Sequence, residues 1–212
     1  MPKIKICGLR RPQDILIANR YKPDFAGFII DFPKSHRSIS GQEVKNLRQN
    51  LNHGIPAVGV FVDQPVQKVI NLLTDGTIDF AQLHGKESPE YINEVQQSTG
   101  KKVIKAFEVK TSEDIERALE SPADYLLLDQ GKGGGETFDW SLITEKIDRP
   151  WFLAGGLTVD NLQQAIDTVH PWGVDISSGV ETNGDKDEEK VKEVVSIVRG
   201  RLQIHLLNRR IK

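Results

Sequence analysis

Two patterns alternate along the chain. Short runs with apolar centres recur as KIKICG (3–8), FAGFII (25–30), PAVGVFV (56–62), FAQLHG (80–85), KVIKAFEV (102–109), YLLLDQ (125–130), WFLAGG (151–156) and GVDISSG (173–179). Most lack a clean apolar–polar alternation, as strands covered on both faces do. Between them stand stretches of helical period. Val66, Val69, Ile70 and Leu73 occupy i, i+3, i+4, i+7, as do Leu162, Ala165, Ile166 and Val169, and again Val191, Val194, Val195 and Val198. Ser40 and Glu43 fit a capping box, and Ser88-Pro89 puts proline at a first helical position.

Eight strand signals, each followed by a helix, predict an α/β protein with a single-domain (β/α)8 TIM barrel of eight parallel strands. A doubly wound open sheet is the alternative, but the first turn, GLRRPQD, does not carry G-x-G-x-x-G. The sixth helix, around 139–147, is short. The tail GRLQIHLLNRRIK is expected to prolong the last helix, so one domain is expected over residues 1–212.

Bulk properties narrow the function. A chain of 212 residues buries one core comfortably. Its formal charge of -2 gives no pull toward nucleic acid or acidic lipid. Cys7 is the only cysteine, so no internal disulfide forms and a reducing, cytoplasmic location is expected. No stretch reaches the roughly 18 apolar residues of a membrane span. Cys7 and the five histidines do not approach zinc-ligand spacing.

In a barrel of this kind the carboxyl ends of the strands and the loops after them build the active site. Those ends supply Cys7, Asp31, Asp63, His84, Glu108, Asp129, Gly155-Gly156 and Ser177-Ser178-Gly179. AGGL (154–157), leading into a helix near Thr158, and SSGVE (177–181) after the eighth strand suit a phosphate. Glycines there let backbone N–H groups close on the anion, and a serine hydroxyl adds a donor. A tight strand-to-helix turn would explain the glycines as well. DQGKGGGETFDW (129–140) is glycine-rich enough for a substrate cover beside Asp129, though a plain surface loop has the same composition. FPKSHRSIS (32–40) carries Lys34, His36 and Arg37. The arginine offers a planar fork for a carboxylate or phosphate; a solvated basic loop is the bland alternative.

KICGL, GFIIDFPKSHRSIS, QLHG, LLLDQGKGGGETFDW, FLAGGL and VDISSGVETNGDKD occur in this order from residue 3 to about 187. Together they resemble phosphoribosylanthranilate isomerase. The resemblance implies a (β/α)8 barrel acting in tryptophan biosynthesis. It converts N-(5-phosphoribosyl)anthranilate to 1-(o-carboxyphenylamino)-1-deoxyribulose 5-phosphate by an Amadori rearrangement, with no metal or organic cofactor. It further implies Cys7 as general base, Asp129 as general acid and Arg37 as the partner of the anthranilate carboxylate. The phosphate falls to Gly155, Gly156, Ser178 and Gly179. His84 and Asp175 are secondary candidates for orienting substrate. Asp31 and His36 stand at positions the family fills variably, and the C-terminal helix is longer than in many relatives. The expected partner is a small phosphosugar, with neither nucleic acid nor membrane, in a monomer or homodimer.

The chemistry asks for these groups. Ring opening needs an acid at the furanose oxygen, and an ordinary Asp titrates near ~3.9, so Asp129 is expected to have a raised pKa in the complex. A thiol of reference pKa about 8.5 supplies little thiolate at neutral pH, so Cys7 needs help. Lys5 shares its strand face but lies two residues deeper and is not an obvious helper. A buried inert thiol is the alternative for Cys7. Rival functions are another phosphosugar barrel enzyme or a non-catalytic phosphate-ligand sensor. A ribulose-phosphate epimerase would want a metal-binding His/Asp set. An indole-glycerol-phosphate synthase would want a strand-end lysine, for which Lys105 is the candidate.

Overall fold

The computed structural model describes residues 1–129, 140–143 and 147–200. The glycine-rich cover expected over 130–139, part of the sixth helix (144–146) and the tail from 201 to 212 lie outside the described residues.

Eight parallel strands close on themselves. They are β1 (Lys3–Ile6), β2 (Phe25–Ile30), β3 (Ala57–Phe61), β4 (Phe80–Leu83), β5 (Val103–Glu108), β6 (Tyr125–Asp129), β7 (Trp151–Leu153) and β8 (Gly173–Ile176). Each pairs with the next, and β1 pairs with both β2 and β8, so the barrel has no free edge. Seven α-helices cover it among the described residues: α1 (Pro12–Tyr21), α2 (Gly41–Arg48), α3 (Val66–Thr74), α4 (Pro89–Thr99), α5 (Ser112–Leu119), α6 (Leu162–Val169) and α7 (Glu188–Val198). Between β6 and β7 the described residues hold one 3-10 turn, Trp140–Leu142.

The apolar runs are strands because both faces are covered. Outward residues such as Ile4, Phe28, Leu126 and Val174 pack under the helices. Inward residues fill the barrel with a second cluster around Phe25, Tyr125, Leu127 and Phe152. Several inward aromatics sit at strand beginnings. Phe25 meets Phe80 and Phe152 edge-on at 5.5 and 5.6 Å, and Phe152 meets Trp172 at 5.2 Å. Gly173 leaves the room for this, since a Cβ there would lie 2.8 Å from the Phe152 ring. The lower barrel is therefore an aromatic plug, and polar inward residues are displaced toward the carboxyl ends. Register places the first of them: Lys5 of β1 lies opposite Asp175 of β8.

The caps form as expected. Ser40 Oγ accepts from the Glu43 N–H while Glu43 Oε2 accepts from the Ser40 N–H. Ser88 Oγ accepts from the Tyr91 N–H ahead of Pro89. The helix expected near Thr158 begins instead at Leu162. Asn161 explains the delay: its Oδ1 accepts from the Thr158 N–H and its Nδ2 donates to the Gly156 carbonyl, which occupies those groups in a turn.

Two small additions were not expected. Ser38–Ile39 pairs in parallel with the end of β2. Glu181–Thr182 and Asp185–Lys186 form an antiparallel hairpin after β8. Its turn residues Asn183 and Gly184 have φ of 54° and 83°, the doubly left-handed backbone of an Asn-Gly turn.

Candidate active site

A cavity of about 380 Å3 opens at the carboxyl end of the barrel, large enough for a small ligand. Cys7, Arg37, His84, Asp129, Gly155, Gly156, Asp175 and Ser178 all line it, so residues from six strand ends meet there. Lys34 and His36 join them from the loop after β2.

Gly179 is not among the lining residues. A Cβ there would collide with the Leu157 carbonyl oxygen, so this glycine lets the loop after β8 close against the loop after β7. Three other strand-end acids also stay out. Asp31 and Asp63 both have φ of 50°, a left-handed turn that carries them away from the mouth. Asp31 pairs with Lys68 at 2.8 Å, and Asp63 Oδ1 accepts from the Lys86 N–H at 2.6 Å. Glu108 pairs with Lys110 at the surface. Lys105 does not line the cavity either. Its Nζ donates to the Gly85 carbonyl at 2.7 Å and lies 3.2 Å from Glu87 Oε2, which removes it as a strand-end catalytic lysine.

Cys7 is held from both sides. Its N–H donates to the Ile176 carbonyl at 2.9 Å, and its own carbonyl accepts from Ser177 Oγ at 3.1 Å. Its side chain lies over Gly27, where a Cβ would come within 2.9 Å of Sγ. That same Cβ would come within 3.1 Å of Lys5 Cε, so the Lys5 side chain lies next to the thiol. Burial holds the thiol pKa above its ordinary value; Lys5, as a charge and as a hydrogen-bond donor, offsets part of that rise, and Asp175 adds to it. The depth of Lys5 in the strand therefore does not remove it from Cys7. Lys5 is fully buried, with Nζ 2.9 Å from both Asp175 oxygens. Burial works against the ammonium, but Asp175 and Cys7 outweigh it and raise its pKa.

Arg37 is oriented by a partner far along the chain. Its Nε and Nη2 donate to the two carboxylate oxygens of Glu181, each at 2.7 Å. Lys186 Nζ donates to Glu181 Oε1 at 2.6 Å and to the Ser177 carbonyl at 3.0 Å. Burial opposes the charge on Glu181, yet Arg37 and Lys186 hold its pKa down at about 2. The Asn183-Gly184 hairpin brings both residues back to the mouth, and that dipeptide is the local signal for it.

Across the cavity, His84 Nε2 lies 3.5 Å from Asp129 Oδ2. Gln82, also a lining residue, places Nε2 3.0 Å from His84 Nδ1. With Gln82 donating, the neutral ring carries its hydrogen on Nε2, facing Asp129. A thiol beside an ammonium on one wall and a carboxyl beside an imidazole on another can carry out general acid–base chemistry on a ligand between them.

Known proteins resemble the chain over nearly its whole length. The family model described as N-(5'phosphoribosyl)anthranilate (PRA) isomerase matches residues 4–197. A curated N-(5'-phosphoribosyl)anthranilate isomerase of Endomicrobium trichonymphae is 43% identical over 204 residues, covering 94% of this chain and 99% of its own. The crystal structure of phosphoribosyl anthranilate isomerase from Thermotoga maritima superposes with a TM-score of 0.85 at 37% identity, covering 94% of this chain and all of that one. A structure of phosphoribosyl anthranilate isomerase in complex with reduced 1-(o-carboxyphenylamino)-1-deoxyribulose 5-phosphate superposes with a TM-score of 0.83 at 36% identity, with coverage of 94% and 100%.

Proposed function

The chain belongs to the N-(5'-phosphoribosyl)anthranilate isomerase family, and from the layout of its cavity we propose that Cys7 and Asp129 are the acid–base pair of the isomerisation it performs. The reaction turns N-(5-phosphoribosyl)anthranilate into 1-(o-carboxyphenylamino)-1-deoxyribulose 5-phosphate in tryptophan biosynthesis. One observation carries the assignment of roles: the thiol and the carboxyl, from strands at different places around the barrel, line a single cavity.

In this reading the protonated Asp129 carboxyl gives its proton to the furanose oxygen as the ring C–O bond breaks, leaving a protonated Schiff base. The Cys7 thiolate then removes the C2′ hydrogen, and the electron pair moves into the enolamine. Tautomerisation to the ketone completes the rearrangement. The base must be ionised and the acid protonated together. Such a pair gives a bell-shaped dependence of kcat/KM on pH.

Binding follows the charges. Arg37 takes the anthranilate carboxylate with donors left free by its bidentate bond to Glu181, since a guanidinium carries five N–H groups. Gly155, Gly156 and Ser178 hold the phosphate, with Gly179 behind them setting how closely the two loops approach. His84 and Asp175 orient the sugar. The ligand is a small phosphosugar, and the assembly is a monomer or a homodimer. No described helix is long and apolar enough to cross a membrane, and a cytoplasmic location, supported by the single unpaired cysteine, is part of the proposal.

The test is direct. Purified chain added to freshly made phosphoribosylanthranilate should remove the substrate's fluorescence at a rate proportional to protein. A chain that binds the substrate without consuming it would instead be a sensor.

A further inference from the structure

Behind the cavity wall lies a group of buried charges that the proton transfers above leave unused. Cys7 faces Lys5 on its own strand and Asp175 on β8. Lys186 reaches it electrostatically from the hairpin, and Arg37 from the loop after β2. Arg37 crosses the backbone beside the thiol, since a Cβ on Gly8 would lie 2.5 Å from its Cδ. Glu181 ties Arg37 to Lys186. The cations Lys5, Lys186 and Arg37 thus stand against the carboxylates Asp175 and Glu181. The side chains of Lys5 and Lys186 are 0% and 1% exposed, so water does little to screen the difference. With Cys7 as a thiol the group holds one positive charge in excess; with Cys7 as a thiolate it is balanced. A low-dielectric setting penalises an uncompensated charge, so these cations offset part of the burial that holds the thiol pKa above its ordinary value.

We propose that Lys5 and Lys186 are positioning residues that keep a Cys7 thiolate available, while Asp175 and Glu181 clamp these cations and limit how strongly they act. This rests on the reading of Cys7 as the base. The balance is complete: the thiol proton leaves to solvent through the cavity, and the thiolate regains a proton when it takes the C2′ hydrogen. Gly27 lets Cys7 and Lys5 approach, since a Cβ there would press on both. Burial draws the Lys186 pKa down and Glu181 resists, so the hairpin helps to keep this cation charged.

Cys7 is the only thiol in the chain, so its ionisation is visible as thiolate absorbance in the ultraviolet, with Cys7→Ser as the blank. Lys186→Met leaves Glu181 paired with Arg37, and should move the thiolate midpoint to higher pH. It should also lower kcat/KM at neutral pH by roughly three- to tenfold, a loss recovered in alkali. Asp175→Asn should move the midpoint the other way, because Lys5 then acts on the sulfur unopposed. Should that variant not fold, Lys5→Met/Asp175→Asn removes both charges and should raise the midpoint, since Lys5 acts on Cys7 more strongly than Asp175 does. Midpoints that stay put, or that move the same way in Lys186→Met and Asp175→Asn, overturn the proposal. Near-normal turnover by Cys7→Ser would overturn the role of Cys7 as base while leaving the absorbance result standing, so the two failures are distinguishable.

Discussion

Arg37 and Glu181, 144 residues apart in sequence, meet in a two-point ion pair with both N–O distances at 2.7 Å. This fork-to-fork contact fixes the guanidinium plane before any ligand arrives, and a preorganised donor loses less freedom on binding. Glu181→Gln should keep the shape and loosen that hold. We expect KM to rise by about three- to tenfold with a smaller change in kcat, and Arg37→Ala to raise KM further. Steady-state kinetics checks both; an unchanged KM in Arg37→Ala would take this arginine out of the binding site.

The same pair sets an acid limit. Glu181 is drawn from its ordinary value of 4.5 down to about 2 in the folded protein. A depressed carboxylate stabilises the fold above its unfolded pKa, and that stabilisation drains away as pH falls through the folded value. The Glu181 contribution should therefore be complete above 4.5 and be lost between 4.5 and about 2. Denaturant titrations across this window should show a smaller loss of stability in Glu181→Gln than in the parent. Equal losses would mean that the pair does not stabilise the fold.

Lys105 and Glu87 act as a buried strut under His84. Lys105 Nζ holds the Leu83 and Gly85 carbonyls, and Glu87 accepts from the Gly85 and Asp63 N–H groups. Removing one partner of a buried pair leaves the other charge uncompensated, at a cost of about 3 kcal/mol. Lys105→Met should lose stability on that scale by denaturant unfolding. It should also lose kcat, because the backbone that aims His84 toward Asp129 relaxes.

Gly179→Ala should destabilise the fold by about 2 kcal/mol or more, since its methyl would meet the Leu157 carbonyl rather than open space. The loops after β7 and β8 would then part, and inorganic phosphate should compete more weakly with substrate. Unaltered stability and competition in this variant would mean that the two loops need not approach so closely.

The barrel was legible because the alternation of apolar runs and helical periods is local. The capping signals at Ser40 and Ser88 are local too, and both form. What sequence reading missed was decided at a distance. The partners Lys5 and Asp175 are 170 residues apart, and only the closing of β8 against β1 brings them into register. Sequence alone therefore does not show that Lys5 lies beside the thiol. Asp31 and Asp63 were plausible strand-end acids until their left-handed backbone turned them away from the mouth. The neighbours of Gly179 suggest the phosphate, but only the fold reveals that a side chain there would meet the Leu157 carbonyl. The hairpin that returns Glu181 and Lys186 to the site did carry a local mark, Asn183-Gly184 between short polar strands.

The most direct measurement is single-turnover conversion of phosphoribosylanthranilate by Cys7→Ser and by Asp129→Asn, each beside the parent at saturating substrate. If the thiol takes the C2′ hydrogen and the carboxyl protonates the ring oxygen, each variant should lose at least about a hundredfold in rate while still binding substrate. Conversion at close to the parent rate in either variant would contradict the division of roles between them.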